Sequence, residues 1–371
     1  MKRLGIFVFY DREGIADDYI FYLLDGIKPV VDKLVIVVNG NIDNVYLERL
    51  YKYTDTIISR ENLGFDAGAY KDALCKYIGW DNVCKFDELL LVNDTFYGPL
   101  YPFEDCFNKM EKMDVDYWGM TKSPKGVQED GYAYDAHIQS YFLVLRKSVF
   151  SDNRFKEFWE KMPYPKSFLQ AVRSFELECN KLLSECGWRG VALSDLYGFS
   201  FSEKVNCNPY MSYSYELIHD AKIPVLKCKS LDMRFSGFSN AFKAFKYMED
   251  QEIYDVGLIK KRLMRIGQPL HERAKLDFSK LSEFYYAHAK IYLYGAGTCG
   301  KNLAEYFDYK GWSFEGFLVS DIGNQGEKRL FFDDADISDN DGIIIAVGTE
   351  QAYIEIRSII EKRCNREQIY P

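Results

Sequence analysis

Histidine is scarce in this chain. Only His137, His219, His271 and His288 occur in 371 residues, too few and too scattered for a histidine-rich metal centre. Nine cysteines are spread along the chain with no CxxC pair and no cluster. That excludes a zinc ribbon or a disulfide framework and reads as reduced, mostly buried thiols of a cytosolic protein. Positive charge is short as well: 47 Lys and Arg stand against 56 Asp and Glu, a net charge of −9. A nucleic-acid partner needs a basic footprint, so nucleic acid is not expected. No apolar run reaches the roughly 20 residues of a membrane span, and Met1-Lys2-Arg3-Leu4-Gly5-Ile6 enters a strand without a signal peptide. The expectation is a cytoplasmic protein, at most peripheral on the inner face of the membrane.

What is present supports a sizeable core. Apolar residues make up 47% and charged residues 28%, and the length suits two domains. Tyrosine is abundant, 29 against 5 Trp; its ring can stack on a base or sugar, and it is equally a half-buried filler. From the first residues, short apolar runs (Leu4 to Phe9, Lys33 to Val38, Thr56 to Ser59, Glu88 to Val92) alternate with helical patterns. The helices expected between and after them are Ile15 to Ile27, Val45 to Tyr53 and Ala69 to Ile78. This alternation means an α/β fold with a parallel, doubly wound sheet. Val115 to Met120 and Ser140 to Arg146 add strands, with Thr121 to Ala136 a loop between them. An aromatic helix is expected at Arg154 to Met162 and a longer one at Phe168 to Cys186.

Two segments carry chemistry. Glu61-Asn62-Leu63-Gly64-Phe65-Asp66-Ala67-Gly68-Ala69-Tyr70 places small residues and a lone carboxylate between a strand and a helix. Gly64 and Gly68 permit close ligand approach or backbone conformations closed to other residues. Asp66 and Asn62 can bond ring N–H groups or ribose hydroxyls. In Leu90-Leu91-Val92-Asn93-Asp94-Thr95-Phe96-Tyr97-Gly98-Pro99, an apolar strand ends on an amide and a carboxylate. Ligands of α/β sheets sit at such strand ends. Asp94 there can hold a Mg²⁺ or Mn²⁺ ion bridging the phosphates of a sugar nucleotide, or cap the turn ahead of Gly98-Pro99. Asn39 closes the second strand, and Tyr10 follows the first. Farther on, His137 and Gln139 share one face and could both reach a sugar hydroxyl, although a lone histidine is as often structural. Glu176 and Glu178 lie two apart on an expected helix, about 200° around its axis, so at most one faces a given cleft. A carboxylate there suits a general base.

These strings, with Trp118-Gly119, His137-Ile138-Gln139-Ser140-Tyr141-Phe142 and Phe155 with Phe158-Trp159, resemble the rhamnan synthesis F family of bacterial surface-polysaccharide glycosyltransferases. Asn208-Pro209, Glu216-Leu217-Ile218 and Pro224-Val225-Leu226-Lys227 are similar to its closing segment. The resemblance covers roughly residues 1 to 235. It implies a GT-A-like mixed sheet and an inverting transfer of a sugar, rhamnose from dTDP-rhamnose, to a glycan on a lipid carrier. It also implies that Asp66 sits near the nucleotide, that Asp94 stands in the place of the metal-binding acid and Glu176 in that of the catalytic base. With the residue readings above, the expected donor contacts are Tyr10, Asn39, Asn62, Gly64, Asp66, Gly68, Asn93 and Asp94, and the expected acceptor contacts His137 and Gln139. The chain departs from the usual Asp-x-Asp in having Asn93-Asp94.

Domains are expected at 1–235, a helical linker at 236–287 and a small Rossmann-like module at 288–371. The linker mixes aromatic and basic residues, Phe242 to Tyr247 and Lys260 to Arg265, which suits an anionic membrane surface or plain packing between domains. The module opens on strand Lys290 to Tyr294 and the loop Gly295-Ala296-Gly297-Thr298-Cys299-Gly300, with Asp321 after the next strand. The rival readings are a sugar-nucleotide oxidoreductase or epimerase using NAD at this loop, and a non-catalytic scaffold in polysaccharide assembly.

Overall fold

A computed structural model of the chain describes residues 1–128, 131–198, 210, 213–231, 241–266, 278–320, 329–347 and 350–370. Contacts divide the chain into two compact units, residues 1–200 with 221–225, and residues 201–220 with 226–371.

Uninterrupted apolar runs become buried strands in the first unit: β1 (Arg3–Phe9), β2 (Lys33–Asn39), β3 (Ile57–Arg60), β4 (Glu88–Asn93), β5 (Tyr117–Gly119), β6 (Phe142–Arg146) and β7 (Gly190–Ala192). They form one sheet in the order β7-β5-β6-β4-β1-β2-β3. Six strands point the same way, and β6 alone runs antiparallel, between β4 and β5. The expected doubly wound mixed sheet is present. Burial on both faces explains why β1, β2 and β4 read as continuous apolar runs rather than alternating ones.

Helices α1 (Asp18–Ile27), α2 (Asn44–Leu50) and α3 (Phe65–Asp72) connect the first four strands, and α4 (Asn153–Lys161) and α5 (Glu178–Glu185) follow β6. The aromatic spacing that marks α4 buries Phe155 and Trp159. Trp159 meets Phe175 at 5.0 Å and Tyr70 of α3 at 6.4 Å between ring centroids, so α4 buttresses α3 from behind. A second aromatic cluster joins Phe107 to Trp118 at 5.0 Å and Phe103 to Phe142 at 5.3 Å.

Two expectations change. Helix α3 begins at Phe65, four residues before the expected Ala69, because Gly64 takes a left-handed φ of +82° and turns the chain straight into the helix. Asp66 and Gly68 therefore stand on its first turns, not in a loop. The expected loop 121–136 holds a hairpin, Gly126–Val127 against Ala133–Tyr134, and Lys122–Ser123 pairs with His137–Ile138. Two-residue strands are too short to leave a periodic signal.

In the second unit α6 (Ala241–Asp250), α7 (Val256–Arg265) and α8 (Phe278–Ala287) precede a parallel sheet. Its strands are β8 (Ile291–Tyr294), β9 (Gly316–Val319), β10 (Arg329–Phe331) and β11 (Gly342–Ile345), ordered β10-β9-β8-β11. Helix α9 (Thr298–Tyr309) follows β8, and α10 (Glu350–Ile360) follows β11. The C-terminal unit thus has the parallel βα character expected of it. Strand β10 was not expected, since three residues carry no usable alternation. Among the described residues no helix is long and apolar enough to cross a membrane.

Candidate active site at the carboxyl edge of the first sheet

Because β1 and β4 are neighbours whose flanking strands continue in opposite directions, their carboxyl ends form the switch point where a ligand crevice opens. Tyr10, just past β1, donates its backbone N–H to Asp94 Oδ2 at 3.0 Å. Tyr19 on α1 donates its hydroxyl to the Asp94 carbonyl at 3.0 Å. Asn93, the last residue of β4, donates Nδ2 to Asp66 Oδ2 at 2.9 Å. Its own Oδ1 accepts from Thr95 Oγ at 2.7 Å. Asn39, at the end of β2, donates Nδ2 to Asn62 Oδ1 at 2.8 Å and to the Phe65 carbonyl at 3.0 Å. The structure therefore brings Tyr10, Asn39, Asn62, Asp66, Asn93 and Asp94 to one edge in linked pairs.

Arg60 straps this loop, a role the sequence reading missed. Its guanidinium donates to Asn39 Oδ1, to the Leu63 carbonyl at 2.7 Å and to Asp72 Oδ2 at 2.9 Å. Asp72 is 6% exposed and also accepts from Tyr164. Burial would raise its pKa, but bonds from Lys76 and Tyr164 and the Arg60 charge hold it below the usual value. The glycines serve the same loop. A Cβ on Gly68 would lie 2.1 Å from the Leu63 carbonyl oxygen, and one on Gly64 would lie 3.0 Å from Pro165.

Tyr70 was also missed, although it lies one turn after Asp66 on the same helix face. Its hydroxyl is fully buried and finds no hydrogen-bond partner among the described residues. Its pKa is raised well above 10 by burial, then by the charges of Asp66 and Asp94. Both carboxylates therefore act on one buried phenol. Oxygen donors of this kind suit Mg²⁺ or Mn²⁺, which take one or two carboxylates and complete their shell with substrate phosphates. No group of three or more His, Cys, Asp or Glu side chains forms a protein-only metal cage among the described residues.

The β5–β6–β7 half of the edge is built around Glu176. It sits on a π-helical turn, Val172–Leu177, a distortion often found at functional sites. Its Oε1 lies 3.2 Å from His137 Nε2, and its Oε2 accepts from both the backbone N–H and the hydroxyl of Ser140 at 2.7 Å. Burial would raise its pKa, but His137 and Ser140 hold it below the usual value. For His137, burial would lower the pKa and the Glu176 bond and charge raise it above the usual value. His137 Nδ1 is 3.0 Å from the Asp135 carbonyl, so both ring nitrogens are engaged. Gln139 is 8% exposed and its Oε1 accepts from Thr121. Glu178, two residues beyond Glu176, accepts from the Tyr132 hydroxyl at 2.8 Å.

At the C-terminal sheet, Gly295 has φ +116° and Gly300 packs so closely that a Cβ would lie 1.8 Å from the Gly295 carbonyl oxygen. Gly297 faces open space. Asp321 lies outside the described residues.

Residues 34–290 match the family model of rhamnan synthesis protein F. An uncharacterized protein of Sinorhizobium fredii, y4gN, is 26% identical over 217 residues, 57% of this chain and 54% of that protein. The virulence protein VirA of Vibrio anguillarum is 31% identical over 143 residues, 38% of this chain and 42% of that protein. The chain thus spans about half the length of the curated relatives it matches. Among solved structures, 4-diphosphocytidyl-2C-methyl-D-erythritol synthase from Anaerococcus prevotii is 13% identical with a TM-score of 0.32, over 47% of this chain and 82% of that one.

Proposed function

We propose, from the premise that the chain belongs to the rhamnan synthesis protein F family, that it is a GT-A-type glycosyltransferase of bacterial surface-polysaccharide synthesis. The observation that carries this reading is the linked set Tyr10–Asp94, Asn93–Asp66 and Asn39–Asn62 at the β1/β4 switch point. The donor is a nucleotide-activated sugar, dTDP-rhamnose by family, and the acceptor a glycan on a lipid carrier, met at the inner face of the membrane. Residues 1–235 form the transferase domain, 236–287 the linker and 288–371 an accessory module.

Asn62 and Asp66 hold the nucleoside by hydrogen bonds to base and ribose, while buried Asn39, bonded to Asn62, the Phe65 carbonyl and Arg60, positions Asn62. Asn93 orients Asp66, and the Tyr10 backbone orients Asp94. Asp94 would hold a Mg²⁺ or Mn²⁺ ion, and such an ion would supply charge neutralisation for the departing diphosphate. Glu176 was expected to take the acceptor proton. With its oxygens bonded to His137 and to Ser140, and its pKa lowered, we give it instead the role of fixing His137 and the entry of β6.

Calorimetric titration with dTDP, UDP, GDP and NAD, each with and without Mg²⁺, tests the reading. Selective nucleoside diphosphate binding that weakens in Asp66→Ala is the expected result. Binding of NAD alone would move the chemistry to the Gly295–Gly300 loop and overturn it.

A further inference from the structure

The donor half of the edge leaves the β5–β6–β7 half without a ligand. A cavity of about 480 Å³ opens there, within the size range of small-ligand sites. Tyr117, Lys122, Tyr134, His137, Asn180 and Asp195 are among its walls. We infer that this cavity seats a sugar residue of the acceptor glycan and that Asp195 takes the proton of the attacking hydroxyl. The inference rests on the transferase reading of the donor half.

Register places Asp195 correctly for this. Ala192 pairs with Gly119, Gly119 with Leu143, and Leu143 with Leu91, so Ala192 and Leu91 lie on one row across the sheet. Asp195 follows Ala192 by three residues as Asp94 follows Leu91 by three. Both carboxylates therefore lie beyond the same edge, three strand positions apart, roughly 14 Å at the usual strand spacing. A donor diphosphate at Asp94 and an acceptor hydroxyl near Asp195 then approach the same space above β6.

The cavity's chemistry points to a neutral polyol. Lys122 and Lys181 are balanced by Asp135, Glu185 and Asp195, so no positive field invites a second phosphate. Tyrosine faces offer apolar surface to the C–H face of a sugar ring, while the ammonium and carboxylate groups bond hydroxyls. The wall is firmly built: Asn180 donates to the Ile138 carbonyl at 2.9 Å and accepts its N–H at 3.0 Å, tying the short strand to α5.

Of the carboxylates on the cavity wall, Asp135, Glu185 and Asp195, only Asp195 follows a strand of the seven-stranded sheet at its carboxyl edge, and the neighbouring Glu176–His137 pair is already committed. Glu176 is bonded by three donors, and both His137 nitrogens are engaged. At Asp195, burial raises the pKa against the opposing pull of Lys122 and the Ala192 backbone. That strengthens it as a base. In the step, the acceptor O–H proton passes to the Asp195 carboxylate and the oxygen bonds the anomeric carbon. The bond from that carbon to the diphosphate breaks, and its electron pair leaves on the nucleoside diphosphate.

Saturation-transfer NMR on the full chain, with methyl α-L-rhamnopyranoside and methyl β-D-glucopyranoside as probes, tests the seat. The signal should fall severalfold in Tyr134→Ala and Asp195→Ala and persist in Asp94→Ala. A wild-type chain that binds a nucleotide but neither glycoside, or a signal indifferent to both cavity variants, would overturn the seat while sparing the donor site. Failure to bind both nucleotide and glycoside would sink the transferase reading with it. For the base, Asp195→Asn should keep both ligands yet release nucleotide from a sugar nucleotide, with glycoside present, about 10²–10⁴-fold more slowly. Undiminished release would remove Asp195 from the chemistry.

Discussion

The chain contains two parallel-cored sheets with the same inner order. In the first, β3-β2-β1-β4 run side by side; in the second, β10-β9-β8-β11 do. Both also let a helix close on the preceding loop through one glycine. Gly68 approaches the Leu63 carbonyl and Gly300 the Gly295 carbonyl, each leaving no room for a Cβ. Their carboxyl edges differ. The first carries Asn39, Asp66, Asn93 and Asp94 in linked pairs. The second, among its described residues, presents a loop of small residues around the open Gly297. Strand order decides where an edge can bind, and side chains decide what happens there.

The sharpest way to break this comparison is to remove chemistry from one edge and add bulk to the other. Asp94→Ala should slow nucleotide release from the preferred sugar nucleotide by about 10²–10³-fold, the usual cost of losing a group that stabilises developing charge. Gly297→Asp, which places a carboxylate in open space, should leave that rate unchanged. If the second variant is the one that abolishes turnover, the two edges have been assigned in reverse.

A difference in pH dependence comes next. The first sheet's edge holds the His137–Glu176 pair. The folded pKa of His137 is raised above 6.5, so its stabilisation is complete below that value and fades as pH climbs through the raised one. The folded pKa of Glu176 is lowered below 4.5, so its share holds above that value and is lost as pH falls. The pair is therefore at full strength between about 4.5 and 6.5. His137→Gln should cost about 3 kcal/mol inside this window, as breaking a buried pair does, and less above it. Urea denaturation across pH, followed in the wild type and His137→Gln, measures the gap. A gap that stays constant with pH would mean the pair is not ionised.

Much of this was legible in the sequence. Continuous apolar runs revealed β1, β2 and β4, and strand-terminal polar residues marked the edge where Asp94 and Asn93 stand. Arg60 and Tyr70 were not legible as site residues. Arg60 acts through Asn39 and Asp72, which lie 21 residues before it and 12 after. Nothing in the local pattern announces that convergence. The partnership of His137 with Glu176 spans 39 residues and depends on the π-helical turn, which has no period to read. Asp195 escaped notice because it follows a strand of three residues, too short to recognise.

The glycine device common to both sheets is the next target. Gly68→Ala and Gly300→Ala each force a Cβ against a carbonyl oxygen, and each should lower stability by about 1–3 kcal/mol. The comparison gains force if only Gly68→Ala also weakens nucleotide binding, because only its loop carries Asn62 and Asp66. Calorimetric melting paired with nucleotide titration reads both effects. Equal loss of nucleotide affinity in the two variants would mean that the C-terminal sheet shares the site.

The smallest effect separates a strap from an ornament at one carboxylate. Asp72 meets Arg60 at 2.9 Å and Lys76 at 2.7 Å. The Arg60 side chain is 6% exposed and ties three partners, whereas that of Lys76 is 58% exposed. Solvent screens the lysine and its tether costs side-chain entropy, so Lys76→Ala should change stability by no more than about 1 kcal/mol. Arg60→Met, by contrast, takes the buried cation from Asp72, leaving it Tyr164 and the exposed Lys76, and removes the guanidinium donor from Asn39 Oδ1 beneath the 60–65 loop. It should loosen that loop enough to weaken nucleotide binding together with stability. Should Lys76→Ala prove as damaging as Arg60→Met, the contact distance would be deciding the strength of the pair and burial would not. The first edge would then owe its order to surface charge rather than to the buried strap that sets it apart from the glycine edge of the second sheet.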